Sequence, residues 1–97
     1  MATIRETVHY TGRVQGVGFR YTTASLAKDF EVAGSVKNLP DGRVKLVAEG
    51  EAQQVAGLID AVQEAMSGNI TDVESSRSIG TGEFGTPGDP RAFRVIL

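Results

Sequence analysis

The sequence predicts an α+β fold in which two helices cover one face of an antiparallel sheet. Stretches with an apolar residue at every second position, typical of half-buried strands, alternate with two stretches of helical spacing. Their order along the chain is β-α-β-β-α-β, followed by a short C-terminal strand. The chain has 97 residues and shows no repeat, linker or low-complexity segment. We therefore expect one small domain, 1–97.

The first half of the chain begins with a strand and continues into a helix. The strand is predicted over residues 3–12, although Glu6 falls on its apolar side. Its apolar residues are Ile4, Val8 and Tyr10. A glycine-rich stretch follows it. Helical spacing then runs from about Tyr21 to Val32, and Gly34 ends it.

The middle of the chain predicts a hairpin. Residues 34–39 form its first strand, and the alternation of Val44, Leu46 and Ala48 forms its second. Between them lies "LPDG", residues 39–42, in which Pro40 presets the backbone and Gly42 can adopt a positive φ. Two strands joined by such a tight turn pair as antiparallel neighbours.

The second half contains the clearest helix. One face of it carries an apolar stripe made of Val55, Leu58, Ile59, Val62 and Met66. A polar fourth strand is predicted over residues 70–79, a loop over 80–90, and a last short strand over 93–97. This order is that of the ferredoxin-like split βαβ arrangement.

Composition restricts the chemistry that is available to the chain. The net charge is −2, so the overall field does not favour nucleic acid or an anionic membrane. The chain has no cysteine, which excludes a thiolate nucleophile. With His9 as its one histidine, it also lacks the ligands of an ordinary zinc site. It has no run of membrane-spanning length and no signal-peptide pattern. We expect a cytoplasmic protein.

The stretch "GRVQGVGFRY", residues 12–21, is the first candidate site. Glycines let a backbone approach a ligand closely, and the free N–H groups at a helix N-terminus favour anions. Arg20 stands at the junction of loop and helix, and a guanidinium can bind two phosphate oxygens at once. An anion site and a plain turn with a solvated arginine are the two interpretations. The stretch matches neither the Walker A motif nor the dinucleotide fingerprint.

Asn38, at the end of the second strand, is the second candidate. Its amide can accept and donate hydrogen bonds, which suits the positioning of a water molecule. Asparagine at such a place also caps turns with its own side chain. In a split βαβ fold, the end of this strand can lie near the glycine-rich loop.

The two stretches together resemble the acylphosphatase family. "GRVQGVGFR" is similar to the family's signature G-x-V-Q-G-V-x-F-R, and "GSVKNLPDGRV", residues 34–44, is similar to its second motif. The motifs occur in the family's order, and the resemblance covers nearly the whole chain. The family's ferredoxin-like fold agrees with the element order.

The resemblance implies hydrolysis of a carboxyl-phosphate anhydride to a carboxylate and inorganic phosphate. Arg20 and Asn38 are the implied catalytic residues, with Asn38 holding the attacking water. The implied phosphate-binding loop consists of Gln15, Gly16, Val17, Gly18, Phe19 and Arg20. The resemblance implies no metal and no organic cofactor. The expected partner is a small acyl phosphate, with no nucleic acid and no membrane, and we expect a monomer that functions independently of a larger protein.

Two positions depart from the family's pattern. Ser35 replaces an aromatic residue, which predicts looser packing around that strand. Glu31 replaces a glycine that would end the first helix, so it must avoid the left-handed region or accept strain. The loop 80–90 is interpreted as a plain connection, with a lid as the alternative. A non-catalytic anion- or RNA-binding module on the same fold is the alternative function, although Phe19 lies before a helix and not on a central strand.

Overall fold

The computed structural model describes residues 3–97, in which five strands, two α-helices and one short 3₁₀ helix follow one another. Residues 1 and 2 of the predicted domain lie outside this range. The elements are β1 (Ile4–Gly12), α1 (Phe19–Ala27), β2 (Ala33–Asn38), β3 (Val44–Gly50), α2 (Ala52–Ala65), β4 (Ile70–Ile79), the 3₁₀ helix (Pro90–Ala92) and β5 (Phe93–Ile96). Within the described range, no helix is long and apolar enough to cross a membrane.

The sheet has the strand order β4-β1-β3-β2-β5. The pairs β1–β3, β1–β4 and β2–β3 are antiparallel, while β5 runs parallel to β2. The predicted ferredoxin-like fold is confirmed, but its sheet is mixed and not wholly antiparallel, because the last strand joins at the β2 edge and runs parallel to β2. The loop after β4 makes this possible, since it carries the chain from one edge of the sheet to the other.

The core lies between the sheet and the two helices. Three inward-facing residues of β1 and β3 are fully buried: Val8, Tyr10 and Leu46. The apolar stripe of α2 meets them through Val55, Leu58 and Val62, which are also fully buried. The alternation of the strands and the helical spacing of α2 thus place their apolar residues on one shared surface.

Glu6, the exception on the apolar side of β1, is buried as its position requires. It is 8% exposed, and its Oε1 accepts a hydrogen bond of 2.9 Å from Nε of Arg77 on β4. Arg77 is the direct cross-strand neighbour of Glu6. The pairing explains how a carboxylate can stand in an otherwise apolar row.

The first helix is shorter than predicted. It begins at Phe19 and ends at Ala27, whereas the sequence pattern extended to Val32. Tight turns close it, because the N–H groups of Asp29 and Phe30 donate to carbonyls three residues earlier. Among residues 3–97, only glycines have a positive φ, so Glu31 avoids the left-handed region and its N–H instead donates to Oε1 of Gln54.

The face of the sheet away from the helices carries a buried carboxylate, Glu49 of β3, which is 2% exposed. It accepts hydrogen bonds from the N–H groups of Thr81 and Gly82 at 3.0 and 2.9 Å, and from the Thr81 hydroxyl at 2.8 Å. Arg5 of β1 forms an ion pair with it at 3.2 Å. These contacts attach the beginning of the 80–90 loop to the sheet.

Ser35 lies on this same face, paired with Val47 of β3. It is 7% exposed and Val47 is 3% exposed. Ser35 is therefore buried, although it is smaller than the aromatic side chain in the family's pattern.

Candidate active site

The glycine-rich loop connects β1 to α1 and changes the chain's direction at two glycines. Gly16 and Gly18 have φ values of 74° and 80°. Residues with a side chain rarely adopt these angles, which explains why glycine is needed at both positions. Gly18 is also the residue that precedes α1, and no side chain caps that helix end. Thr23, inside the helix, donates from its hydroxyl to the Phe19 carbonyl at 2.9 Å.

The backbone N–H groups of this loop are free of internal partners. Within residues 3–97, none of the N–H groups from Gln15 to Arg20 donates a hydrogen bond to another protein atom. An α-helix leaves its first N–H groups unpaired, and here the preceding loop adds several more. The result is a row of donors that can turn toward an anion.

The side chain of Gln15 does not join this row. Its Nε2 donates to the carbonyl oxygens of Leu39 and Arg43 at 2.8 and 2.9 Å. Both acceptors flank the turn between β2 and β3. Gln15 therefore attaches the glycine-rich loop to the turn that follows Asn38, a role that the sequence alone did not indicate.

Arg20 occupies the first turn of α1 and is half-buried. Its Nη1 donates a 2.8 Å hydrogen bond to the carbonyl oxygen of Ile96 on β5. This bond uses one of the five N–H groups of the guanidinium and fixes the direction of the side chain. The remaining donors are available to a ligand.

Asn38 is the last residue of β2, and its Oδ1 is buried without a hydrogen-bond donor among the described residues. It does not cap the following turn, because Oδ1 of Asp41 accepts the N–H of Arg43 there at 3.0 Å. A buried acceptor that lacks a protein partner is usually satisfied by water or by a ligand.

These groups border one cavity of about 230 Å³. Its lining consists of Val14, Gly16, Gly18, Phe19, Arg20, Tyr21 and Asn38. The fold thus brings together the two residues that the sequence singled out, although 18 positions separate them. No carboxylate belongs to this lining, so Arg20 gives the cavity a positive character.

The remaining members of the predicted loop are placed differently. Val17 lies at its tip, 38% exposed, and is not part of the lining. The ring of Phe19 is buried and lies 5.0 Å from the ring of Tyr10, so that only the backbone of Phe19 can serve a ligand. A buried ring offers no surface on which a base can stack.

No group of three His, Asp or Glu side chains comes close enough to share a metal ion in the part of the chain that the structure describes. Burial raises the pKa of Tyr10, which lies fully buried in the core. That phenol is therefore neutral at physiological pH.

Comparison with known proteins gives a consistent result. The acylphosphatase family model matches residues 6–86. A curated acylphosphatase from Paenarthrobacter aurescens is 43% identical over 95 residues, which is 97% of this chain and 95% of that protein. A second, from Acaryochloris marina, is 54% identical over 89 residues, covering 89% of this chain and 86% of the relative.

A solved structure agrees with these sequence relatives. The crystal structure of acylphosphatase from Bacillus subtilis superimposes with a TM-score of 0.80 at 29% sequence identity. The match covers 97% of this chain and 99% of the Bacillus chain.

Proposed function

The chain belongs to the acylphosphatase family, and we propose that it hydrolyses acyl phosphates in the cavity between the glycine-rich loop and Asn38. The observation that carries the proposal is the lining of that cavity. Loop residues whose backbone N–H groups are unpaired, the guanidinium of Arg20 and the Asn38 amide, whose Oδ1 lacks a protein partner, line one space of about 230 Å³.

The loop and Arg20 bind the phosphoryl group. In phosphoryl transfer, charge spreads over the three equatorial oxygens, and catalysis depends on positioning and on stabilising that charge. The N–H groups from Gln15 to Arg20 and the guanidinium are donors of the required kind, fixed before the substrate arrives. The hydrogen bond from Arg20 to Ile96 holds the guanidinium in place.

Asn38 positions the attacking water. Its buried Oδ1 accepts a hydrogen bond from the water, and the amide nitrogen can donate to the same molecule or to the phosphoryl group. The water then attacks phosphorus while the bond to the acyl oxygen breaks. The products are inorganic phosphate and the carboxylate.

No carboxylate or imidazole lines the cavity, since its charged member is Arg20 and its remaining side chains are apolar, amide or phenol groups. We propose that the proton of the water passes to a phosphoryl oxygen. The leaving group is a carboxylate, a weak base that needs no general acid. This mechanism uses no metal and no organic cofactor.

The proposal extends to the state of the protein. Residues 1–97 act as one domain, a cytoplasmic monomer that takes a small acyl phosphate as its substrate. Size-exclusion chromatography with light scattering tests the monomer, because a dimer would have twice the 10.3 kDa mass of the chain.

Hydrolysis of benzoyl phosphate in the presence of a chelator tests the chemistry. We expect Arg20→Ala to lower kcat/KM by about 10²–10³, the usual loss for one preorganised donor. Asn38→Ala should lower kcat and leave KM nearly unchanged, because a positioned water matters only in the transition state. Arg94→Ala on β5 is the matched control, since Arg94 is exposed and does not line the cavity.

Three outcomes would contradict the proposal. Wild-type activity no higher than that of Arg20→Ala would show that this cavity is not an active site for acyl phosphate hydrolysis. Activity lost on chelation and restored by a metal would remove the metal-free mechanism. A pH–rate profile with an essential base near neutrality would show that a protein group takes the proton.

A further inference from the structure

A second cavity lies between the C-terminal half of α1 and the segment that enters β5. Its volume is about 290 Å³. Six apolar residues line most of it: Ala24, Ala27, Phe30, Val32, Pro90 and Phe93. Because a dry cavity of roughly 150 Å³ already accepts benzene, this one has room for a hydrocarbon chain of several carbons.

The space exists because α1 presents small side chains toward β5. Ala24 and Ala27 are the helix residues of the lining, and neither reaches as far as a leucine would. Phe30, which could fill the gap, packs against Gly57 of α2 so closely that a side chain at Gly57 would clash with its ring. The packed core between the helices and the sheet therefore does not fill this cavity.

Two charged residues also line the cavity, and only one of them is compensated. Asp89 accepts the N–H of Arg91 at 2.9 Å and forms an ion pair with its guanidinium at 3.4 Å. Lys28 is exposed and forms no salt bridge among residues 3–97. The cavity thus combines an apolar interior with one unpaired ammonium group.

We propose that this cavity binds an apolar monocarboxylate, with the hydrocarbon part inside and the carboxylate at Lys28. The lining excludes a strongly polar ligand, since burying polar groups without partners is costly. An anionic head complements the unpaired ammonium. The choice of a carboxylate also rests on the proposed function. Hydrolysis of an acyl phosphate releases a carboxylate, so the enzyme itself produces ligands of this class.

The cavity is connected to Arg20 through two elements. Ala24 follows Arg20 by four residues on α1, about 6 Å along the helix axis. On the other side, Phe93 precedes Ile96 on β5, and the Ile96 carbonyl accepts the hydrogen bond from Arg20. A ligand between α1 and β5 contacts both elements that hold the guanidinium, and its binding should raise the Tm of the protein.

Titration of amide NMR signals with octanoate, in the presence of saturating inorganic phosphate, tests the site. We expect the signals of Ala24, Ala27, Gly88 and Phe93 to shift, while those of Gly16 and Gly18 stay at their phosphate-bound positions. Saturating phosphate should leave the affinity for octanoate unchanged, because the two ligands occupy different cavities.

Variants test the parts of the site. Lys28→Gln should weaken octanoate about threefold, as expected for an exposed ion pair, and leave binding of 1-octanol unchanged. Lys45→Gln on β3 is the matched control and should bind both molecules like the wild type. Ala24→Leu fills the cavity and should abolish binding of both. If that variant does not fold, Lys28→Gln still decides the role of the charge, because its site is exposed.

Several results would overturn the inference. Octanoate that shifts Gly16 and Gly18 and is displaced by phosphate binds in the catalytic cavity. Equal octanoate affinities of the wild type and Lys28→Gln would show that the carboxylate does not interact with Lys28. A titration without shifts of the signals at the second cavity would show that no binding site exists there. Octanoate binding at the second cavity combined with no hydrolysis of benzoyl phosphate would contradict the proposed function alone.

Discussion

At the scale of single residues, Gln15 shows how a signature residue can act through its side chain and its backbone in different ways. Its N–H belongs to the row of unpaired donors, while its amide group donates to the carbonyls of Leu39 and Arg43. These two bonds tie the glycine-rich loop, which we propose binds the phosphoryl group, to the turn after the strand that ends in Asn38. We therefore propose that Gln15 is a positioning residue for the reaction.

Gln15→Ala should lower both stability and activity. Two carbonyls lose a donor, and we expect the free energy of unfolding to fall by about 1–2 kcal/mol. The loop is then no longer tied to the β2–β3 turn, so kcat should fall more than the KM for acyl phosphate rises. Urea denaturation and benzoyl phosphate kinetics measure the two effects. Gln53→Ala on the exposed side of α2 is the control, and an identical loss there would show that the bonds of Gln15 have no particular role.

Gly18→Ala tests the conformation of the loop separately from its packing. A side chain at Gly18 meets no atom within 4 Å, so the cost comes from its φ of 80° alone. We expect a loss of about 1 kcal/mol in the free energy of unfolding and a weaker inhibition by inorganic phosphate. Gly68→Ala is the control, since Gly68 also has open space around it and lacks a positive φ. Equal stability of Gly18→Ala and the wild type would contradict the conformational argument.

The residue scale also shows what the sequence could not provide. The positions of Arg20 and Asn38 follow from motifs that can be read in order along the chain. The partners of Gln15, Glu6 and Glu49 come from strands and turns 24 or more positions away, and no local pattern encodes such pairs. The register of the sheet places Glu6 beside Arg77, while the paths of the loops bring Gln15 and Glu49 to their partners.

At the scale of elements, α1 and β5 jointly hold the guanidinium of Arg20. The helix fixes the backbone position of Arg20, and the Ile96 carbonyl of the four-residue strand β5 accepts a hydrogen bond from its guanidinium. The sequence predicted both elements, but it did not predict that β5 would run parallel to β2. That orientation follows from the path of the 80–90 loop, which depends on contacts with β3.

Removal of the last two residues tests this arrangement. A chain that ends at Val95 lacks the Ile96 carbonyl, and we expect kcat/KM to fall about tenfold through loss of one hydrogen bond to a charged group. A chain that ends at Ile96 keeps an oxygen acceptor at the same position, since its terminal carboxylate replaces the amide carbonyl. This control should keep nearly full activity, because Leu97 is completely exposed. Equal activity of both truncated chains would show that β5 does not position Arg20.

At the scale of the whole molecule, the 80–90 loop is the least predictable part of the chain. Its glycines and prolines indicate a loop but not its course. The structure anchors it at Glu49, where two N–H groups, a hydroxyl and Arg5 converge on one carboxylate. A further contact joins Gly88 to Val32, whose carbonyl accepts the N–H of Gly88 at 3.3 Å. The fold class could be predicted from periodicity because periodicity reports burial, whereas this path depends on pairs that only the folded chain creates.

Glu49 makes the stability of the molecule depend on pH. Burial raises the pKa of its carboxyl, but the hydrogen bonds from Thr81 and Gly82 and the charge of Arg5 outweigh this, so that the pKa lies below its ordinary value. A group with a lowered pKa in the folded state stabilises the protein above its unfolded pKa, here about 4.3. That contribution should disappear as the pH falls through the lower pKa of the folded state.

We therefore expect Glu49→Gln to lower the free energy of unfolding by about 1.5–3 kcal/mol at pH 7, because a neutral amide cannot form the charge-assisted hydrogen bonds that the carboxylate makes with Thr81, Gly82 and Arg5. The difference from the wild type should shrink as the pH is lowered below about 4.3, since the wild-type carboxyl then becomes neutral as well. Urea denaturation at a series of pH values measures it. Glu83→Gln is the matched control, because Glu83 also pairs with Arg5 but has a largely exposed side chain. A difference for Glu49→Gln that stays constant down to pH values below the folded pKa would show that the carboxylate charge does not anchor the loop.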